Sequence, residues 1–515
     1  MAHPPAGLAT VAHVFRAHLA RVMVGAAAVL PAPIVAGDVP DPSAIFDNGQ
    51  HVAVVTANGW APSMRIFTSG DQRSWKLRGA VFRSPPRWTK ANIWAPELFK
   101  LKSGRYAVFY SSRSRRKGDP WFCIGVAFAN AATGPYRDLG KPIRCGKVGS
   151  IDPYPMRDAA GKLYLLFKDD GNEFKRPTHI FAQALAEDGK SVSGPSKELI
   201  RDNSKWEGKV VEGPSVVRSG EYFHMLYSGG LFGGTKGCDY AVGVARAKSL
   251  LGPWEKFPGN PILKGGNGWQ CPGHGTVYPG ADGRLTTLYH AYRAGSGKIA
   301  GRQMLTEPAS ISPDNWLKVG EDGLPPAPSP GAASLAFSDN FRGRLNVHWE
   351  WPFMRVPGRA TGKGLRLRGA KEGKTRLDAG VITRPTSTQN YTANAVVDRG
   401  ALRGAAQGGL ASYRNEFEAI GLSVSRGELT VWQRRFGKFR RLGKAKAPRS
   451  NRVHLRMVAR GNTFRFQYSP EGMVFKNVGR KRYRGPIEES ARMALTAGGQ
   501  RYGVARFTSA SVADN

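Results

Sequence analysis

The sequence predicts an all-β chain, a five-bladed β-propeller followed by a β-sandwich. Three observations carry that reading. A strand pattern recurs five times within the first 320 residues; the runs between turns are short, β-branched and aromatic, with almost no helical periodicity; and a stretch rich in Pro, Gly, Ser and Ala sets off a second group of alternating strands. At 515 residues the chain exceeds what one compact core supports, so more than one domain is expected.

The first 30 residues stand apart. Arg16 and Arg21 precede an apolar run from Val22 to Leu30. The run is too short for a transmembrane helix, which needs about 20 apolar residues. A basic segment, a short apolar one and then small residues fit a signal or leader segment, so residues 1–30 are read as a leader. No membrane span is expected, and the protein is read as secreted or periplasmic. Four cysteines, Cys123, Cys145, Cys238 and Cys271, lack CxxC spacing, which argues against structural zinc. In an exported protein they can pair, and 123–145 with 238–271 is the most local of three connectivities.

Residues 31–320 make the predicted propeller. "VAVVTANGW" begins at Val52, "YAVFYSSRS" at Tyr106, "LYLLFKDDG" at Leu163, "YFHMLYSGG" at Tyr222 and "LTTLYHAYR" at Leu285, with successive offsets of 54, 57, 59 and 63 residues. A second pattern keeps the same register: "IGVAFANAATGPY" from Ile124 returns as "VGVARAKSLLGPW" from Val242, 118 residues or two periods later. A sandwich of unequal hairpins would not produce five evenly spaced copies. Blades closing around a channel would.

About ten residues upstream of each repeat lies a candidate functional segment: "DVPDPSAI" with Asp41, "WAPEL" with Trp94 and Glu97, "IDPYP" with Asp152, "VEGPSVV" with Glu212 and "PGHGTVY" with His274. The first strand of each blade lines a propeller's axis, so these residues are expected to converge on one pocket. Glu212 stands in an apolar strand, and low local polarity with neighbouring carboxylates is expected to raise its pKa. A protonated carboxylic acid facing ionised ones suits glycoside hydrolysis, in which one acid protonates the leaving oxygen and one base activates water. Taken singly, Asp-Pro dipeptides are common turn starters and a buried Glu can simply be hydrogen-bonded, so the constellation carries the argument.

At these residues the chain resembles glycoside hydrolase family 43, five-bladed propellers that include β-xylosidases, α-L-arabinofuranosidases and arabinanases. The resemblance covers roughly residues 31–325: "PAPIVAGDVPDPSAI", "WAPEL", "GSIDPYP", "VVEGPSVV", "GHGTVY" and the late "GRQML" follow one another in the family's order. It implies that Asp41 is the general base, Glu212 the general acid, and Asp152 the carboxylate that orients Glu212 and adjusts its pKa. It implies inversion at the anomeric carbon, with base and acid about 6.5–9.5 Å apart to admit a water. His274 resembles a histidine that lies beneath the site near an axial metal, often calcium, through bound water. No cofactor is required for the chemistry. Arg302 matches a substrate-contacting arginine whose fork of donors can hold sugar hydroxyls and offset carboxylate charge. Trp94 is expected in the pocket wall, and Glu97 is read as bracing the inner-strand turn.

Residues 321–335, "EDGLPPAPSPGAASL", read as a linker, and 336–515 as an antiparallel β-sandwich with hairpin turns such as "RGEL" and "RGNT". This part resembles the lectin-like jelly-roll domain that follows the propeller in many family 43 enzymes. It departs from them in basicity: 35 Lys and Arg against 12 Asp and Glu, a net of +23 out of +38 for the whole chain. The runs "RRFGKFRRLGKAKAPR" (434–449) and "GRKRYRG" (479–485) could hold pectic or other acidic polymers, or form a solvated face. No nucleic-acid motif accompanies them, and nucleic acid is not an expected partner. Oligomeric state is not legible. The expected activity is inverting hydrolysis of α-L-arabinofuranosyl or β-D-xylosyl linkages in plant-type poly- or oligosaccharides. A binding-only propeller would not need all three carboxylates, and the resemblance weighs Asp41 against a galactanase.

Overall fold

The computed structural model describes Met1 and residues 31–515, apart from 117, 119–121, 234–236, 296–297, 330–333, 354–357, 370–379, 404–405, 488 and 500–502. The expected leader, 2–30, lies outside the described residues. Among the described residues regular structure is strand, with three short 3-10 turns, and no helix is long and apolar enough to cross a membrane.

Five antiparallel sheets follow one another along the chain. Their inner strands are Ser43–Asp47, Thr89–Lys100, Ser150–Arg157, Val211–Ser219 and Trp269–Pro279. Each touches the next and the last touches the first, so the sheets close a ring as five blades. The repeated patterns seen in the sequence are the second strands, Gln50–Val54, Tyr106–Ser114, Leu163–Asp169, Tyr222–Gly229 and Leu285–Arg293. Their residues are buried almost throughout because blades pack on both faces, which is why they read as continuous apolar runs. The second pattern is a third-strand signature. In blades two and four, a Cβ at Gly125 would lie 2.5 Å from the Trp88 ring, and one at Gly243 would lie 2.6 Å from the Trp206 ring. Glycine lets the same tryptophan wedge repeat.

Closure uses the segment before the first blade. Ile34 donates to the Met304 carbonyl (2.9 Å), Met304 donates back to Val35 (3.0 Å) and Val39 donates to Arg302 (2.8 Å), latching the start of the propeller onto blade five. Disulfides join Cys123 to Cys145 within blade two and Cys238 to Cys271 across to the inner strand of blade five. The predicted linker is not a loose tether. Its Pro326 carbonyl accepts from Trp269 Nε1 (2.9 Å), and Ser329 Oγ accepts from Ala32 N (3.0 Å).

The C-terminal part is a sandwich of a nine-stranded and a six-stranded antiparallel sheet around one apolar core that includes Trp349, Leu410, Leu455 and Phe507. The outer face of the six-stranded sheet packs on the propeller: Tyr413, Trp432 and Ala494 cluster with Trp60 of blade one, and Trp351 and Pro352 pair with Ala61 and Trp60. Beside this seam runs a buried ion network. Arg65 Nε lies 3.1 Å from Glu350, Glu350 lies 3.0 Å from Arg492 Nε, and Arg492 Nη2 lies 3.6 Å from Asp38, with the Arg492 guanidinium 4.4 Å over the Trp60 ring. Removing one member leaves buried charge uncompensated. Glu350→Ala is therefore expected to cost about 3–5 kcal/mol, read as an unfolding transition at lower denaturant. An unchanged transition would contradict the network's role.

Candidate active site

The site is built from one backbone device. Asp41, Ala95, Asp152 and His274 all take left-handed backbone with φ between 42° and 54°, and Gly213 takes φ 60°. Each of the first three, and Gly213, precedes a proline; His274 precedes Gly275. Proline cannot donate to a ladder, and in blades two to five the pairing slips at this point, as between Ile151 and Tyr154 and between Glu212 and Ser215. The equivalent set is thus Asp41, Ala95, Asp152, Gly213 and His274. The sequence comparison aligned Trp94 and Glu212 with that set, but the structure puts both one residue earlier. Gly213 itself has a packing reason: the His274 ring stands 3.1 Å from where its Cβ would be.

Each kink frees a buried N–H, and the preceding blade supplies its acceptor. Ala95 N donates to Thr56 Oγ1 (2.6 Å), Asp152 N to Ser111 Oγ (3.0 Å), His274 N to Ser228 Oγ (2.8 Å) and Asp41 N to His290 Nδ1 (3.2 Å). Ser111, Ser228 and His290 stand on second strands, and Thr56 lies two residues past the end of one. Blade three breaks the pattern. Its second strand carries Lys168 there, which donates to Glu212 Oε2 (2.7 Å), while Gly213 N turns to Asp152 Oδ2 (3.0 Å).

These residues open into a cavity of about 1120 Å³ between propeller and sandwich. Asp41, Asp152, Glu212, His274, Arg302 and Trp94 all line it. The sandwich contributes Tyr413 to Phe417 and Glu489, Ser490 and Arg492 across from them, where Arg414 pairs with both Glu418 and Glu489. His274 Nδ1 stands 3.8 Å from Asp41 and 3.9 Å from Asp152. Arg302 Nη1 donates to Asp41 Oδ1 (3.0 Å), and its backbone N donates to Asp38. Trp94 stacks on Phe122 with ring centroids 4.2 Å apart, and its indole N–H is buried without a partner among the described residues.

The electrostatics differ from the sequence expectation in one respect. Burial pushes the Asp41 carboxyl up, but Arg302, His274 and His290 overcome it and hold it well below the ordinary range. Glu212 was expected high and is held low: burial raises it, yet the Lys168 ammonium, His274 and the Tyr240 hydroxyl at 2.6 Å outweigh burial. The raised carboxyl is Asp152, pushed to about 6 by burial and by Glu212 and Asp41, against His274 and Lys168. Reading Glu212 as a lone acid in an apolar strand overlooked the cation that the fold brings to it. Asp152 and Glu212 act as one titrating pair. A pocket with an ionised carboxylate on one side and a proton-holding pair on the other can take a proton from water and give one to a leaving oxygen.

Sequence reasoning missed Lys168, Tyr240 and His290, which stacks on Tyr240 with centroids 5.9 Å apart. A signal existed for two of them: aligned repeats carry Thr56, Ser111 and Ser228 where blades three and five carry Lys168 and His290. The axial calcium implied by resemblance has no ready-made cage. Among the described residues no group of three His, Cys, Asp or Glu could hold a metal, so direct coordination by such a group does not fit.

Residues 30–317 match the family described as Glycosyl hydrolases family 43, and 338–489 match the β-xylosidase C-terminal concanavalin A-like domain. The chain belongs to glycoside hydrolase family 43. Relatives in this family include an extracellular exo-α-(1→5)-L-arabinofuranosidase of Cellvibrio japonicus, 25% identical over 53% of this chain and 87% of its own length. A xylosidase/arabinosidase of Humicola insolens is 24% identical over 93% of both chains. The solved xylan β-1,4-xylosidase of Bacillus halodurans superposes with a TM-score of 0.78 at 20% identity, covering 94% of this chain and all of its own, so the same two-part fold recurs there.

In a carboxyl NMR titration Asp152 is expected to show a midpoint near 6 and Glu212 one below its usual range. Lys168→Met should raise the Glu212 midpoint, because the ionised form loses its nearest cation. A Glu212 midpoint that stays put would remove Lys168 from the account.

Proposed function

We propose that this family 43 enzyme hydrolyses α-L-arabinofuranosyl or β-D-xylosyl linkages with inversion, with Asp41 as general base, Glu212 as general acid and Asp152 orienting Glu212. The observation that carries the reading is three carboxylates in one pocket with different partners: Arg302 donates to Asp41 and Lys168 to Glu212, while Asp152, beside Glu212, is raised by burial to about 6. Water placed against Asp41 gives up a proton as its oxygen attacks the anomeric carbon. The glycosidic oxygen leaves with a proton from the Asp152–Glu212 pair. Asp152 accepts from Gly213 N and so fixes the start of the Glu212 strand. Arg302, Trp94 and His274 line the same cavity, where they can meet sugar hydroxyls. The roof that the sandwich builds over one side favours exo action on chain ends, in keeping with the exo-acting relative from Cellvibrio japonicus. An exported location and acidic polymers as partners belong to this reading. Two disulfides suit an oxidising compartment, and that relative is extracellular.

Wild type is expected to release 4-nitrophenol from the α-L-arabinofuranoside, the β-D-xyloside or both. Glu212→Ala should nearly abolish cleavage of natural linkages and retain more activity on the aryl glycosides, whose leaving group needs little protonation. Asp41→Ala should fail on both. Equal losses for Glu212→Ala on the two substrate types would overturn its role.

The pH dependence follows from the charges. Asp41, held low, stays ionised in acid, so the base is not lost as pH falls; the pair sheds its proton as pH rises through about 6. On unactivated substrates kcat/KM should therefore fall above about pH 6, and Lys168→Met should move that falling limb upward. A hydrated calcium reached by His274 through water is part of the proposal. Elemental analysis that finds no divalent metal, together with chelation that alters neither Tm nor rate, would remove it.

A further inference from the structure

The basic run at 434–449 folds into the last hairpin of the six-stranded sheet. Glu428–Arg435 pairs with Lys438–Lys446, and the latter is the sheet's edge. The second run lies against it: Tyr483 packs on Gly443, Arg480 N donates to the Tyr483 hydroxyl (2.8 Å), and Gln433 Nε2 donates to the Arg484 carbonyl (3.2 Å). Two runs separated in sequence thus form one surface. Arg435, Lys438, Arg440, Lys444 and Lys446 are exposed on the hairpin, and Arg480, Lys481 and Arg482 beside it. Of the exposed cations on this hairpin, Arg441 is the one with an acidic partner among the described residues, Glu428 at 3.5 Å.

Lysines on a sheet edge are by themselves a common guard against strand addition. This edge carries something that such a guard would avoid. Phe436 at the hairpin tip is 74% exposed, Phe439 39% and the neighbouring Phe417 54%. The tip is fastened to the catalytic cavity: Gly437 N donates to the Phe417 carbonyl (3.1 Å), and Phe417 lines the cavity wall. Exposed aromatic rings and exposed cations therefore extend from the cavity mouth to the hairpin tip and along the edge strand, with Arg435 over the Phe436 ring (5.4 Å) and one face of Phe439 stacked on Trp432.

We propose that this surface binds the uronate-bearing backbone of an acidic polysaccharide, with the cations meeting carboxylates and the phenylalanines stacking on sugar rings, while a terminal or branching pentose enters the cavity. The proposal rests on the pentosidase reading for its direction, but binding can be measured without turnover. On the edge strand Lys438 and Arg440 share one face about 6.8 Å apart, and beyond the bulge opposite Val431 and Trp432 Lys444 and Lys446 share the other, so cations flank both sides of the edge along which an extended charged chain can lie.

The test is affinity electrophoresis of the full-length enzyme in gels holding polygalacturonate, neutral debranched arabinan, or single-stranded DNA. Polygalacturonate is expected to retard wild type at least about tenfold more than arabinan, with retardation falling as salt rises. Lys438→Glu with Arg440→Glu, and separately Phe436→Ala, are expected to weaken that retention by about tenfold each at unchanged Tm. Because Phe436 is three-quarters exposed, its variant tests the surface even where charge reversal harms folding. Equal retardation by DNA, or a Phe436→Ala enzyme retained like wild type, would mean a generic cationic face and overturn the proposal. Pentoside turnover without polygalacturonate retention would sink the surface and leave the pentosidase reading standing. Retention without turnover would do the reverse.

Discussion

The catalytic domain depends on satisfying one buried N–H per blade. A left-handed residue before a proline cannot take part in its own ladder, and a buried donor left unpaired costs about 1–3 kcal/mol. Four times the answer is an acceptor from the blade before, Ser111, Ser228 or His290 on its second strand and Thr56 just past it. The bond does two jobs with one geometry. It locks each blade to its neighbour in register, and it turns the kinked residue's side chain toward the axis, which is how Asp41, Asp152 and His274 come to share a cavity. Where the pattern fails, at Lys168, the freed position supplies a cation to Glu212. Chemistry sits where the scaffold's repeat is interrupted, as expected of functional sites that depart from local consistency.

Gathering three carboxylates in a buried pocket is costly unless cations are close. Lys168 and Arg302 stand within hydrogen-bonding distance of Glu212 and Asp41. Compensation then continues outward. Asp38 accepts from the Arg302 backbone and faces Arg492, which reaches Glu350 and through it Arg65. Asp41 and the seam between the domains thus belong to one charge network, so the sandwich is electrically part of the propeller's site as well as a wall of its cavity. The jelly-roll partner is no detachable appendage.

The propeller and the sandwich were legible because their signals are periodic. Runs such as "YAVFYSSRS" and "LYLLFKDDG" recur at blade spacing since each must fill the same slot between blades. The carboxylates were legible because X-Pro marks a strand kink and kinks converge. The error over Glu212 has the same origin as that success. A motif shows which residues share a strand, while a pKa is set by neighbours from other strands, here Lys168 from blade three and Tyr240 from the next loop. The cavity's far wall, Tyr413 to Phe417, was invisible for a related reason: nothing in a sandwich strand announces which side of it meets another domain. The Glu350 and Arg492 pair, 142 residues apart, is likewise a product of docking, with no local pattern to betray it.

The latch at the start of the propeller has a consequence for the order in which the molecule can be made. Asp41 belongs to the segment that closes the ring, and its surroundings come from His290 and Arg302 on the last blade. Asp38 beside it looks to Arg492, near the other end of the chain. During synthesis the earliest part of the domain therefore waits for the latest: a chain stopped before the last blade holds Asp41 without Arg302 and His290, and one stopped before the sandwich holds Asp38 without Arg492. The surroundings of Asp41 are therefore complete only once the last blade has joined the first.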